Sequence, residues 1–399
     1  MAKELNNIPN IRFPEFIKLG VWEVETIGSI TSQESSTMAM NRLEFQKEGF
    51  PVYGADGVIG YINDFQHEEE YISMVKDGSG VGKLNLCQEH SSILGTLTAI
   101  KSKNNKKYFL KWIYYLLNTL DFSSYIKGAG IPHIYYSDIK HKDIYVPSFS
   151  EQKKIADCLS SLDDYINAMQ EKIEILQAHK KGLIQQLLPA LGKTMPQKRL
   201  PKFGKSKKWS PYSMEEMFKI RNGYTPSKSN PKFWENGTIP WFRMEDIREH
   251  GHILSDSIQH ITKEAVKGKG LFPANSIIVA TTATIGEHAL IIVDSLANQR
   301  FTFLTKRKSF DTQIDMKYFY YYMYIIDEWC KQHTNAGGFA SIDMNGFKRL
   351  SVSLPSPEEQ KEIAECFTSI DDLIDSTKQK LVMLQNHKRG LMQQLFPTV

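Results

Sequence analysis

Pro147-Ser148-Phe149-Ser150-Glu151-Gln152-Lys153-Lys154-Ile155-Ala156 opens a stretch that runs on to Gln185-Gln186-Leu187-Leu188-Pro189. All of it recurs 208 positions later, from Pro355-Ser356 to Gln393-Gln394-Leu395-Phe396-Pro397. No gap is needed, and over half of the aligned positions are identical. A duplication sets the architecture and has to be recognised before any motif is weighed. Within the first copy Ile155, Leu159, Leu162, Ile166, Met169, Ile173, Leu176, Lys180, Leu183 and Leu187 alternate in steps of four and three. The second copy keeps the register with Ile363, Phe367, Ile370, Ile374, Thr377, Leu381, Leu384, Lys388, Leu391 and Leu395. A sustained period of 3.5 residues is a narrow seam made for one partner helix, not a broad face made for a globular core. One seam slot holds lysine in both copies, the kind of polar residue that fixes register.

The ends of these helices are equally legible. Ser148 to Glu151 and Ser356 to Glu359 read as capping boxes, Pro357 suits a first turn, and Pro189 and Pro397 close the helices. A helix from Glu151 to Leu188 extends about 57 Å at 1.5 Å per residue.

Working outward, a second echo precedes each copy. Arg12-Phe13-Pro14-Glu15-Phe16 with Trp22 matches Arg199-Leu200-Pro201-Lys202-Phe203 with Trp209, 187 positions apart. Each half therefore has a short lead, a body and the shared helix, with the second body 21 residues longer. The bodies themselves barely align, so a common scaffold presents two different working surfaces. The expected layout is residues 1–146, a first body; 147–190, a spacer helix; 191–210, a basic linker; 211–354, a second body; 355–399, a second spacer helix. The fold class is α+β, two mixed α/β bodies separated by a pair of long antiparallel coiled-coil helices, an internal repeat with pseudo-twofold symmetry.

In the bodies, Phe50 to Tyr61 carries a strand on each side of Asp56-Gly57, a hairpin signal. Asp77-Gly78-Ser79-Gly80-Val81-Gly82 is a glycine-dense turn, Ser276 to Ala280 reads as a strand, and Thr284-Ile285-Gly286-Glu287 as a turn. Tyr108 to Leu120 and Met316 to Cys330 read as helices whose aromatic residues belong to the core.

Composition narrows the function class. With 399 residues, 41% hydrophobic and 24% charged, the chain has material for two or three domains. Mean hydropathy is −0.37, and the most apolar run, Ser276 to Ala280, is far below the ~20 residues of a membrane span. Met1 to Asn10 lacks the apolar core of a secretory signal, which makes the cytoplasm the expected compartment. Cys87, Cys158, Cys330 and Cys366 show neither a CxxC pair nor zinc spacing and read as reduced thiols. Net charge is only +4, but Lys193, Lys198, Arg199, Lys202, Lys205, Lys207 and Lys208 crowd one stretch. Lys101, Lys103, Lys106 and Lys107 crowd another.

Catalytic motifs fail on inspection. Gly78 to Lys83 imitates a phosphate loop, but Asp77 stands where its first glycine belongs and Leu84 where its Ser or Thr belongs. Asn230-Pro231-Lys232-Phe233 imitates an amino-methyltransferase segment, with Lys232 in place of a proline and no glycine-rich cofactor loop upstream. Glu-x-Lys at Glu151 and Glu359 sits in a helix's first turn without a partner acid at hand. The expectation is no catalytic residue, no metal and no cofactor in this chain.

Taken together, the duplicated Glu-Gln-x-x-Ile-Ala helix starts and Gln-Gln-Leu-x-Pro ends resemble the specificity subunit of type I DNA restriction-modification systems. So do Gly223-Tyr224-Thr225-Pro226-Ser227, Ile239 to Ile247, Ala283-Thr284-Ile285-Gly286, Ala297-Asn298-Gln299 and Tyr53 to Gly60. The resemblance covers nearly the whole chain. It implies two target-recognition domains, each reading half of a split site on double-stranded DNA. It also implies two modification subunits that carry S-adenosylmethionine, and restriction subunits that use ATP and Mg²⁺. A methylation-only or type II-like system, a chain that is itself a methyltransferase or nuclease, and a coiled-coil adaptor are the alternatives. Residue type and loop position select as DNA-binding candidates Lys76, Ser79 and Lys83 in the first body. In the second they select Arg221, Asn222, Tyr224, Lys228, Arg243, Thr282, Asn298 and Arg300, with Asn298 also able to brace a strand end.

Overall fold

The computed structural model describes residues 7–128, 130–204, 208–268, 270–335 and 340–397. It forms two compact units, residues 1–171 with 378–399, and residues 172–377. The unit boundary falls within both long helices, so each unit holds a body, the start of one long helix and the end of the other. Lys205 and Lys207 of the basic linker lie outside the described residues.

In the first unit, β1 (Thr31–Ser35), β2 (Phe50–Gly54), β3 (Gly57–Ile62), β4 (Tyr71–Val75), β5 (Leu84–Cys87), β6 (Ser92–Ile93) and β7 (Leu97–Ser102) make two small sheets. Their orders are β1-β7-β4-β5 and β3-β2-β6. In the second unit the strands are β8 (Phe218–Asn222), β9 (Ile239–Phe242), β10 (Ile253–Leu254), β11 (His260–Ile261), β12 (Ser276–Ala280), β13 (His288–Ile291), β14 (Leu296–Ala297) and β15 (Phe301–Lys306). They order as β8-β15-β12-β13-β10 and β11-β9-β14.

The bodies that scarcely align in sequence thus share one core topology, down to the register, to which the second adds the edge strand β10. Thr31 faces Ser102 and Ser35 faces Thr98, as Phe218 faces Lys306 and Asn222 faces Thr302. β2 runs parallel to β6 with Val52 opposite Ser92, and β9 runs parallel to β14 with Trp241 opposite Leu296. The physical reason is burial: β4 and β12 are covered along their whole length, and any apolar run of the right length satisfies such a strand. The second body's added length falls mainly between β9 and β12, in helix Met244–His250 and strand β10.

The aromatic helices, α1 (Leu110–Thr119) and, further along the chain, Met316–Gln332, pack behind these sheets. The lead tryptophans are buried against them: Trp22 meets Trp112 edge-on at 6.4 Å and Trp209 meets Tyr318 at 6.5 Å. Short strand pairs, Glu23–Thr26 with Asp143–Val146 and Ser210–Ser213 with Ser351–Leu354, bring each lead beside the start of its own long helix.

The long helices run Phe149–Leu187 (α2) and Pro357–Leu395, 39 residues each. In the first unit Ile155 and Leu159 share a core with Leu395, while Lys388 pairs with Asp163. In the second, Ile184 and Leu187 share a core with Ile363 and Phe367, while Lys180 Nζ lies 2.6 and 2.8 Å from the Asp371 carboxylate oxygens. Pairing is therefore antiparallel in each unit, and the two seam lysines make equivalent ion pairs. A tyrosine completes each: Tyr115 donates to Asp163 at 2.7 Å and Tyr321 to Asp371 at 2.8 Å.

The expected capping boxes are only half made. Ser148 and Ser356 accept from the amides of Glu151 and Glu359 at 3.4 and 3.3 Å. The glutamates, instead of reaching back to the cap, take the lead arginines in forked pairs, Arg12 with Glu151 at 2.7 Å twice and Arg199 with Glu359 at 2.7 and 2.6 Å. Both carboxylates are fully buried, which a carboxylate tolerates when a bidentate guanidinium satisfies it. The neighbouring glutamines staple each helix start to its body. Gln152 Nε2 donates to Pro147 and Lys107 carbonyls and its Oε1 accepts from Phe109. Gln360 does the same with Pro355, Gln313 and Asp315.

Candidate nucleic-acid interface

Four loops of the second body converge at one edge of its sheets. After β8, Gly223 passes so close to Ala297 that a Cβ would lie 2.2 Å from its carbonyl oxygen, which only glycine allows. Tyr224 N donates to that same carbonyl at 2.9 Å, and Trp241 Nε1 donates to the Tyr224 carbonyl at 3.0 Å. After β9, Arg243 leads into helix Met244–His250; its amide donates to Asp246 Oδ2 at 2.6 Å, and the other oxygen of that buried carboxylate accepts from Ile258 N at 2.6 Å. The third loop joins β12 to β13, with Ala283 and Gly286 at φ +66° and +92°. The fourth is Asn298-Gln299-Arg300 between β14 and β15, where Asn298 Oδ1 accepts from Arg300 N at 3.0 Å and Asn298 N donates to the Phe242 carbonyl at 3.0 Å.

Between these loops lies an open cavity of about 430 Å³ walled in part by Trp241. Lys228, Arg243, Arg248 and Arg300 supply four cations to its lining, Glu245 one anion, and Thr225, Thr282, Thr284, Asn298 and Gln299 neutral donors and acceptors. Of the residues selected from sequence, the structure brings Lys228, Arg243, Thr282, Asn298 and Arg300 together here. Asn298 both lines the cavity and braces its own turn. Arg243 Nε is buried and makes no hydrogen bond among the described residues, and its guanidinium stands 5.9 Å from the Trp241 ring centre.

Three selected residues lie elsewhere. Arg221 stacks 4.0 Å over the Phe272 ring, Asn222 accepts from Thr302 Oγ1 at 2.8 Å within the sheet, and Tyr224 OH donates to the Ala265 carbonyl while accepting from Lys267 N. Conversely Glu245, Arg248 and Gln299 belong to the cavity, and sequence reasoning did not select them. Glu245 and Gln299 lay in stretches already noted, Ile239 to Ile247 and Ala297-Asn298-Gln299, and Arg248 just beyond the first, but nothing in spacing says that these loops meet.

In the first body the equivalent edge carries the β2–β3 turn, the loop from Lys76 to Lys83, and Leu94-Gly95-Thr96. Ser79 is exposed between Gly78 and Gly82, both in the left-handed region at φ +103° and +86°. Lys76 is anchored through its backbone, its amide donating to Thr96 and its carbonyl accepting from Ile134, both 2.9 Å. Lys83 forms an ion pair with Asp56 of the turn. All three selected residues therefore belong to one loop.

Burial holds the imidazole of His288, directly behind the second body's β12–β13 loop, down to about 3. Among the described residues no three His, Cys, Asp or Glu side chains converge as a metal-binding set. No described helix is long and apolar enough to cross a membrane.

Residues 21–177 and 206–386 each match the family described as type I restriction modification DNA specificity domain. The specificity subunit of type I restriction enzyme EcoprrI from Escherichia coli is 49% identical over 167 residues, 42% of this chain and 41% of that one. The EcoR124I/EcoR124II specificity subunit, also from Escherichia coli, is 25% identical over 378 residues, 89% of this chain and 88% of that one. Among solved structures, the type I restriction-modification S subunit from M. genitalium superposes with a TM-score of 0.62 at 17% identity, covering 98% of this chain and all of that one, a likeness of fold. Two matched segments spanning most of the sequence, on two bodies of one topology, place the chain in the type I restriction-modification DNA specificity family.

Proposed function

We propose that this chain is the non-catalytic reader of a type I restriction-modification complex, each body reading one half of a split DNA target. The observation that carries the proposal is the second body's cation-lined cavity. Forked arginines, an asparagine and a glutamine are the side chains that read base edges, and lysines and further arginines hold phosphate. Two bodies with one topology and different loops suit two unlike half-sites. The paired helices then serve as spacer and as platform for two modification subunits. In support, exposed apolar side chains recur at equivalent helix positions, Tyr165 with Leu373 and Ile175 with Met383. S-adenosylmethionine would reside on those partners, and ATP and Mg²⁺ on restriction subunits if the system has them; the cytoplasm is where all of them meet DNA.

The test is to map methylated adenines in a genome carrying the intact complex. The expected outcome is one motif of two half-sites around a fixed gap, lost when Arg243 and Arg300 are both replaced by alanine. Methylation or cleavage by the purified chain alone would overturn the non-catalytic assignment.

A further inference from the structure

A carboxylate in a DNA-facing cavity needs a reason, because phosphates repel it. Glu245 lines the second body's cavity among Lys228, Arg243, Arg248 and Arg300, and its side chain is 58% exposed. Its approach to Arg243 Nε, 3.9 Å, is beyond hydrogen-bond range.

The first body has an acid beside a cation at the same distance along the chain from the matched strand. The parallel registers equate Val52 with Trp241 and Tyr53 with Phe242, since these residues lie opposite Ser92 and Ile93 in one body and Leu296 and Ala297 in the other. Three residues beyond that matched pair stand Asp56 in the first body and Glu245 in the second. There too the acid stands beside a cation, Lys83, and both partners are exposed. The surroundings differ, a tight turn in one body and a helix in the other, so no shared local structure accounts for an acid at the same count from the matched strands. An exposed ion pair contributes little stability and opens readily.

Resting on the DNA-reading function above, we infer that Glu245, and Asp56 in its body, are specificity-determining residues that accept a hydrogen bond from the exocyclic amino group of a base in the major groove. On duplex DNA, cytosine N4 and adenine N6 are the major-groove donors that an acceptor-only side chain can use. The neighbouring cation is then released to a guanine edge or a phosphate.

The experiment uses the complete complex with its modification subunits. Duplexes carry, one position at a time, 2-pyrimidinone for cytosine or purine for adenine, which remove only the amino group. The intact complex should lose roughly tenfold to a hundredfold in affinity at one position of the second half-site. Glu245→Ala should be insensitive to that same replacement while binding random DNA more tightly, because a negative charge has left the phosphate-facing surface. Asp56→Ala should repeat the pattern on the first half-site alone. The base analogue that produces the loss distinguishes cytosine from adenine. If the intact complex reads its half-sites but Glu245→Ala stays as sensitive to every analogue, Glu245 is only a surface charge. If the intact complex prefers no sequence, the DNA-reading function itself has failed.

Discussion

The two bodies share seven strands in one register, the second adding β10 at a sheet edge, yet they meet solvent with different surfaces. Where the first body turns from β2 to β3 through Ala55-Asp56, the second inserts helix Met244–His250 after β9, and that helix carries Glu245 and Arg248 into the cavity. The first body's Lys83 is tied to Asp56, whereas the second body gathers four cations around about 430 Å³. The buried strands determine where loops emerge; loop length and charge determine what they can hold. A body's loops can therefore change without disturbing its core, since loops tolerate insertion and strands do not.

The largest effect that could break this comparison is exchange of a whole body. Replacing residues 211–354 with the equivalent body of a relative should change the second half-site completely and leave the first intact, read as methylated motifs in a genome. A simultaneous change in both half-sites would mean that the bodies do not read independently.

Next in size are the clasps that the bodies share. Arg199→Ala leaves the Glu359 carboxylate buried and unpaired, and losing one partner of such a pair costs about 3–5 kcal/mol. Arg12→Ala does the same to Glu151. Hydrogen exchange resolved along the chain should show each variant loosening its own unit alone, which a single melting temperature cannot reveal. Replacing both partners, Arg199→Met with Glu359→Leu, should restore most of the loss.

These clasps also show how far the sequence could be read. The helices were legible because identity and a 3.5-residue period survive in the linear order. Arg12, Arg199 and the Glu-Gln pairs were visible as repeats, but their pairing spans more than a hundred residues and only the fold supplies it. The common topology of the bodies was hidden because a buried strand asks only for apolar side chains. Arg243 and Arg300 could be selected by type and loop position. Arg221 looked equally suitable and instead covers Phe272, since a strand residue's direction depends on register that composition does not reveal.

A smaller effect tests the cavity against the lysine loop of the first body. Arg243→Ala, if its guanidinium forks onto a base edge, should cost roughly 1–3 kcal/mol on cognate DNA and relax preference at one position. Lys83→Ala, on the other body, should weaken cognate and random DNA alike and flatten the salt dependence by about 0.9 in logarithmic slope if it holds phosphate. Equal loss on cognate and random DNA for Arg243→Ala would assign it to phosphate as well.

The smallest predicted effect separates the bodies by acid sensitivity. The strand registers place His288 of the second body where the first has Leu84. His288 is 3% exposed, donates from Nδ1 to the Gly286 carbonyl, and is packed between Tyr320 and Tyr324. Burial keeps it neutral in the folded chain down to about pH 3, while an unfolded histidine takes its proton near 6.5. Between those values the unfolded state binds more protons, so stability rises with pH and falls as pH drops. At pH 5.5, one decade below the unfolded value, the loss relative to neutral pH is about 1.3 kcal/mol. The first body's buried imidazole, His67, is also pushed down by burial and by Lys101, but Glu34, 3.1 Å from its Nδ1, acts in the opposite direction. Carboxylates such as Glu25 and Glu216, held low by hydrogen bonds from Ser29 and from the Ser213 amide, give up their contribution only below about 4.5. Hydrogen exchange between pH 6.5 and 5, corrected for the intrinsic rate, should therefore show the second body loosening more than the first. His288→Leu, the first body's own solution, should be less stable at neutral pH, because the Gly286 carbonyl loses its donor, yet should remove the excess acid sensitivity. If the two bodies loosen in parallel in the native chain and His288→Leu changes nothing in that window, the imidazole is reached by water and the burial argument fails.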